Sequence, residues 1–287
     1  MDPKRNLFVF DIETVPDLDA GRRLLGLGGA PDEQVAEAMR AYHLEITDGR
    51  NDFLRQPFWK VVAISYVQAT AEKAEDAHSD RRGQVRYALH RVGSGGTVDS
   101  DEAELVDGFF KYVEQAAPRL VSFNGRTFDV PVLKYRAMVH GLSAPRFFDT
   151  SNKWENYTQR YAEGYHTDLL ESLRDFGASA AVKLDEVCRT LSIPGKLGTA
   201  GEDVSGMFHR GEVQAIRDYC ETDVLNTYLV FLRWELLRGT ISRASHDASV
   251  HELASYLASE REQRPHLGEF LDAWEAMAVP KGRERRA

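Results

Sequence analysis

The chain is poor in the residues that would tie it to a membrane, a disulfide framework or a bare phosphate backbone. Only two cysteines occur among 287 residues. Cys188 and Cys220 show neither metal-ligand spacing nor a pairing pattern, so both are expected in the core. The longest apolar runs, such as Leu7-Phe8-Val9-Phe10 and Val61-Val62-Ala63-Ile64, fall far short of the roughly 20 residues that span a bilayer. No membrane partner is expected. The N-terminal residues Met1 to Asn6 lead into a strand-like run without the apolar stretch of a secretory signal, so a cytoplasmic location is expected. Basic residues are outnumbered, 36 Lys and Arg against 45 Asp and Glu, for a net charge of -9. That excludes coating nucleic acid through clustered cations. It does not exclude a nuclease, because a divalent-metal site is built from carboxylates and its cations reverse the local field.

Apolar, β-rich runs at Leu7 to Thr14, Val61 to Val67 and Val85 to Val92 predict three strands. Leu105, Phe109, Tyr112 and Val113 give residues 102–115 helical spacing. A short strand at Leu120 to Phe123 and a helix from near Asp129 follow. Pro131 suits the first turn of that helix, Thr127 or Asp129 is a candidate N-cap, Gly141 ends it, and Pro145 to Asp149 is a candidate edge strand. The order β-β-β-α-β-α predicts an α/β fold with a mixed sheet, and from Thr167 onward the pattern is almost wholly helical. Residues 16–57 form a long insertion after the first strand, with a helix around Glu33 to Tyr42. Amphipathic helices at Asp247 to Glu262 and Leu267 to Met277 extend the C-terminus, ahead of a basic tail, Lys281 to Arg286, expected to be a solvated end. The expected division is a domain over 1–240 and a helical extension over 241–287.

Three short motifs carry chemistry. Strand alternation puts Asp11 and Glu13 on one side of the first strand. Asn124 and Asp129 bracket a glycine-containing corner, with Phe128 offering a flat apolar surface. Tyr219 and Asp223 lie four residues apart on one helical face. Each has an ordinary alternative: solvated turn acids, an N-capped corner, and an amphipathic helix with one exposed Asp. Their company in one chain favours a site. Hard divalent cations take oxygen ligands, and two of them serve phosphodiester displacement. A phenol with an ordinary pKa near 10 suits orienting water better than abstracting its proton.

The motifs Asp11-Ile12-Glu13-Thr14, Asn124 through Phe128-Asp129, and Tyr219-Cys220-Glu221-Thr222-Asp223 resemble the three motifs of the DEDD 3′–5′ exonucleases, in the branch with Tyr in the third motif. Between about Leu7 and Arg238 the chain is similar to stand-alone exonucleases related to the proofreading domain of family B DNA polymerases. The resemblance implies an RNase H-like, or DnaQ-like, fold. It implies Asp11, Glu13, Asp129 and Asp223 as ligands of two Mg²⁺ or Mn²⁺ ions and Tyr219 as the residue that positions water. It implies Thr14 and Val15 beside the terminal nucleotide, through their backbone, and Asn124 facing the strand. The expected activity is release of nucleoside monophosphates from 3′ ends of single-stranded DNA, with a polymerase or repair partner acting in trans. The alternatives are a 3′–5′ exoribonuclease and a non-catalytic nucleic-acid or protein adaptor on the same fold. His166-Thr167-Asp168 and Lys183-Leu184-Asp185 also resemble this group, but no chemistry is assigned to them. The loop Pro194 to Gly201 lacks the ending of a nucleotide-binding P-loop. Lys183 and Lys196 are candidate phosphate contacts or simply solvated.

Overall fold

The computed structural model describes residues 5–74, 85–197 and 204–278. The basic tail and residues 198–201 of the loop after Lys196 lie outside them. Strand β1 (Asn6–Pro16) pairs antiparallel with β2 (Trp59–Lys73), which pairs antiparallel with β3 (Val85–Ser94). On its other side β1 pairs parallel with β4 (Arg119–Ser122), and β4 pairs parallel with β5 (His166–Asp168). The order is β3-β2-β1-β4-β5. Parallel neighbours need a crossover. Helix α3 (Glu102–Ala116) precedes β4, and α4 (Asp129–Val139) lies between β4 and β5. This mixed sheet flanked by helices is the RNase H-like α/β fold that the resemblance implied.

The alternation of β1 builds the two sides of the molecule. Phe8, Phe10 and Ile12 pack with Phe109, Phe110 and Leu133 on the α3 and α4 side. Leu7 and Val9 face the opposite core, which is dominated by α8 (Val213–Leu237) and includes Leu225, Tyr228 and Phe231. Each such fully buried side chain contributes about 1.5–3 kcal/mol. The ordinary alternative for this segment is an amphipathic helix with one exposed Asp. Instead α8 is enclosed on all sides, with Glu221, Thr222, Asn226 and Thr227 buried beside its apolar residues. The enclosing elements come from afar: α6 (Leu184–Thr190), α7 (Val204–His209), α9 (Arg243–Glu260) and α10 (Pro265–Ala278) all touch it. No helix among the described residues is long and apolar enough to cross a membrane.

The insertion contains the expected helix as α2 (Asp32–Ile46) and also α1 (Leu18–Leu25). Val35, Met39 and Leu54 form its own small core. The segment at Pro145 to Asp149 is a turn, not an edge strand. Phe147 there is drawn against Phe110 and Tyr157, and β5 takes the edge beside β4. Neither Thr127 nor Asp129 caps α4. Phe128 occupies that position without a side-chain cap, and Asp129 is already in the first turn.

Candidate active site

The site arises where β1 outruns β4. Pairing between them stops at Val9 with Val121, so Asp11 and Glu13 project past the end of the shorter strand. They continue the face of Leu7 and Val9 toward α8, and Val15, next on that face, re-enters a core with Ile216 and Cys220. Apolar packing on either side thus holds the two acids in place. Thr14 is half-buried at a register shift between β1 and β2, and the Val15 side chain is buried. Any contact Val15 makes outward falls to its backbone.

Asp129 enters the gap beyond β4 from the corner that starts α4. Asn124 adopts a left-handed backbone with φ 69°, and a Cβ at Gly125 would meet Ser122 Oγ at 2.4 Å. Only glycine fits that close approach. The corner is pinned from β5. The Asp168 carboxylate accepts from the backbone N–H groups of Asn124 and Arg126, both at 2.9 Å, and from Leu170 N–H at 3.0 Å. Asp168 therefore caps the helix after β5, α5 (Leu169–Leu173), and also shapes the loop carrying Asn124 and Asp129. Sequence reasoning missed the second role. The signal was the His166-Thr167-Asp168 run, whose reach across the sheet requires β5 to lie beside β4.

Asp223 and Tyr219 come from α8, one turn apart and both buried. The five residues are brought together. Asp11 and Glu13 offer oxygens within 4.8 Å of each other and of Cys220 Sγ. Burial pushes the Asp11 carboxyl well above its usual range, and the charges of Asp129, Glu13 and Asp223 add to the shift. Glu13 is pushed up to about 8 by burial and by Asp223, and Asp129 to about 7, chiefly by burial. Asp223 is raised by burial, against the opposing pull of Lys196 and Tyr219. Its Oδ1 is buried and accepts no hydrogen bond among the described residues. Four acids that repel one another, with one orphaned oxygen, match an all-oxygen site for hard cations. Cys220 does not fit such a set. Burial raises its thiol well above the usual range, and the S–H points at Asp11 O, 3.6 Å away.

Lys196 completes the cluster. Gly195 sits in a left-handed turn with φ 69°, held by Asn226 through two hydrogen bonds of 3.0 and 2.9 Å. The Lys196 N–H bonds Asp185 Oδ1 at 2.9 Å. The exposed Lys196 ammonium donates to the Tyr219 hydroxyl, and its charge opposes those of Asp11, Glu13 and Asp223 together. Lys183 stays exposed. At the rim, Thr127 Oγ1 donates to Asn124 Oδ1, and the half-buried Phe128 packs against Trp59.

Residues 51–274 match a protein family described as a predicted 3′–5′ exonuclease related to the exonuclease domain of PolB. The matched segment contains Asp129, Tyr219 and Asp223 and begins after Asp11 and Glu13. The chain is 22% identical over 218 residues to the DNA polymerase epsilon catalytic subunit from Schizosaccharomyces pombe, an alignment over 70% of this chain and 10% of that polymerase chain. The chain thus spans about a tenth of the length of that relative. A solved family B DNA polymerase from the hyperthermophilic archaeon Pyrobaculum calidifontis superposes with a TM-score of 0.46 and 17% identity, over 91% of this chain and 29% of that one.

Proposed function

Because the chain belongs to the family of predicted 3′–5′ exonucleases related to the exonuclease domain of PolB, we propose that it hydrolyses single-stranded DNA from the 3′ end and releases nucleoside monophosphates. The observation that carries this reading is the convergence of Asp11, Glu13, Asp129 and Asp223 on one place, with Asp223 Oδ1 buried and without a hydrogen-bond partner among the described residues. These four residues would hold two divalent cations, Mg²⁺ or Mn²⁺. Bound there, the cations supply a water of lowered pKa and charge stabilisation for the departing 3′ oxygen.

The protein's own groups do the rest. Tyr219 keeps its proton, because burial and then the charges of Asp223 and Glu13 raise its phenol far above the usual value. It acts as a hydrogen-bonding group that orients the attacking water. Lys196 holds the phenol in place and gives the site a fixed positive charge for the substrate phosphate. Asn124 faces the strand from its pinned corner, Phe128 takes a base or sugar against its ring, and the backbone of Thr14 and Val15 borders the terminal nucleotide. Residues 1–240 form the exonuclease domain in this reading, and 241–287 a helical extension whose α9 and α10 lie against β3 and α8. Partners that deliver ends would act in trans.

The test is release of mononucleotides from matched DNA and RNA oligonucleotides with free and blocked 3′ ends, in Mg²⁺ or Mn²⁺. Hydrolysis is expected from free DNA ends and is expected to vanish in Asp11→Ala and Asp223→Ala. Full activity in both variants would sink the assignment, and a preference for RNA ends would move it to an exoribonuclease.

A further inference from the structure

The proposed function uses the end of β1, the corner of Asp129 and the middle of α8, and leaves the insertion without a role. Yet the insertion reaches the same corner. Its last turn brings Phe53 beside two other rings: Phe53 lies 5.0 Å from Trp59 and 5.6 Å from Phe128, and Trp59 lies 6.0 Å from Phe128, centroid to centroid. Phe128 directly precedes Asp129. The insertion is also tied to this corner by a polar contact, Gln56 Nε2 donating to Thr127 O at 2.9 Å.

The position of Phe53 is built rather than loose. Its N–H bonds Asn51 Oδ1 at 2.9 Å, the next residue, Leu54, is buried with Val35 and Met39, and Trp59 Nε1 donates to Leu54 O at 2.8 Å. Even so, 53% of Phe53 is exposed, while Trp59 and Phe128 are half-buried beneath and beside it. A large apolar ring held at the surface by a packed base, beside a phosphodiester site, has one face left over for a flat apolar partner. Arg55, two residues on, is exposed on the same segment and supplies positive charge for a backbone phosphate.

We propose that Phe53, with Trp59 and Phe128, forms a base-stacking platform that holds a single-stranded polynucleotide upstream of its terminal nucleotide. The inference rests on the exonuclease reading of the adjoining carboxylates. It gives the insertion a purpose: the first motif and the platform are the two ends of one excursion of the chain, so the insertion delivers a ring to the site it departs from. Stacking tolerates every base, so the platform confers a preference for unpaired strands of sufficient length and not for sequence.

The experiment measures binding of a fluorescent single-stranded oligonucleotide by anisotropy in EDTA, so that no hydrolysis intervenes. Phe53→Ala is expected to weaken binding roughly five- to a hundredfold, Phe53→Trp to preserve it, and Leu237→Ala, a still more exposed apolar residue at the far end of α8, to change nothing. A ladder of abasic substitutions from the 3′ end gives the signature that a merely structural Phe53 would not: at one or two positions the missing base costs wild type as much as Phe53→Ala does, and costs the variant nothing further. Phe53→Leu keeps apolar volume without a flat face, and covers the case in which Ala unsettles the insertion; it is expected to bind weakly. Wild-type affinity in Phe53→Ala and Phe53→Leu, or losses that add independently along the whole ladder, overturns the platform. Coupled losses in a wild type that releases no mononucleotide with Mg²⁺ or Mn²⁺ overturn the exonuclease reading instead and leave the platform standing.

Discussion

Lys196 Nζ donates a hydrogen bond of 2.8 Å to the hydroxyl of Tyr219. The phenol is thereby occupied as an acceptor, and its own proton is left to face the carboxylate side, where Asp223 lies. A tyrosine fixed on both sides can aim a hydrogen bond at one point, which a solvated phenol cannot do without an entropy cost.

Tyr219→Phe is expected to slow hydrolysis roughly tenfold to a hundredfold, the range set by losing one hydrogen bond to a charged or developing-charge partner. Divalent-cation affinity, measured by calorimetry, is expected to change by less than about threefold, because no proposed ligand is removed. A collapse of cation affinity with the rate would show that Tyr219 ligates rather than orients.

The four acids predict an unusual pH dependence for the cation-free protein. Glu13 titrates at about 8 against an ordinary 4.5, and Asp129 at about 7 against 3.8. Between those values the folded chain holds protons that the unfolded chain has released, so stability falls as pH rises. In EDTA the melting temperature is expected to drop between about pH 4 and pH 8, and Mg²⁺ or Mn²⁺ to recover it. Glu13→Gln is expected to raise the EDTA melting temperature near pH 8, by about 2–4 °C for each kcal/mol of relieved repulsion, while abolishing hydrolysis. An EDTA melting curve that is flat in pH for wild type would refute the crowding of these groups.

Asp168 should behave as a positioning residue. Its carboxylate accepts two N–H groups from the Asn124 corner and caps α5. Asp168→Ala leaves those donors unpaired and releases a backbone held at positive φ. A destabilisation of about 1–3 kcal/mol is expected, together with a fall in turnover that exceeds any change in KM. Asp168→Asn, which keeps one acceptor oxygen, is expected to restore part of both. Turnover unchanged in the Ala variant would confine Asp168 to its capping role.

The parts of the site legible in sequence are those set by local periodicity. Asp11 with Glu13 follows from strand alternation, Tyr219 with Asp223 from the helical turn, and the Asn124 corner from its glycine. What escaped depends on long-range packing. The burial of Asp223 was not legible, because nothing in α8 itself reveals that α6, α7, α9 and α10 enclose that helix. The contact of Lys196 with Tyr219 escaped because the residue that fixes its turn, Asn226, lies in α8, far along the chain. Pro145 to Asp149 had the composition of a strand, but the pull of Phe147 into the core against Phe110 outweighed it. The insertion was legible as an insertion and not as a neighbour of Phe128, since ring contacts across the fold leave no local pattern.

The C-terminal extension is coupled to the site through Glu221, between Tyr219 and Asp223 on α8. Burial alone would raise this carboxyl, but His266, Arg264 and Ser94 outweigh it and hold it below the usual range. His266 Nε2 and Ser94 Oγ each lie 2.7 Å from it, and Arg264 pairs with the same oxygen as His266. The start of α10, strand β3 and α8 thus meet at one charge. Because the folded pKa is depressed, this stabilisation is present above the ordinary value of 4.5 and is lost as pH falls through the folded value. Glu221→Gln is expected to cost about 1–3 kcal/mol, the penalty for leaving buried donors poorly matched, with most of the effect absent at low pH. Amide hydrogen exchange should quicken in α10 and in the turn of α8 around Tyr219, while β1 stays protected. Hydrolysis should then slow with little change in affinity for the strand, because Tyr219 and Asp223 lose their fixed placement and the Phe53 platform keeps its own. Exchange confined to α10, with turnover intact, would show the extension to be a passive cover rather than a brace for α8.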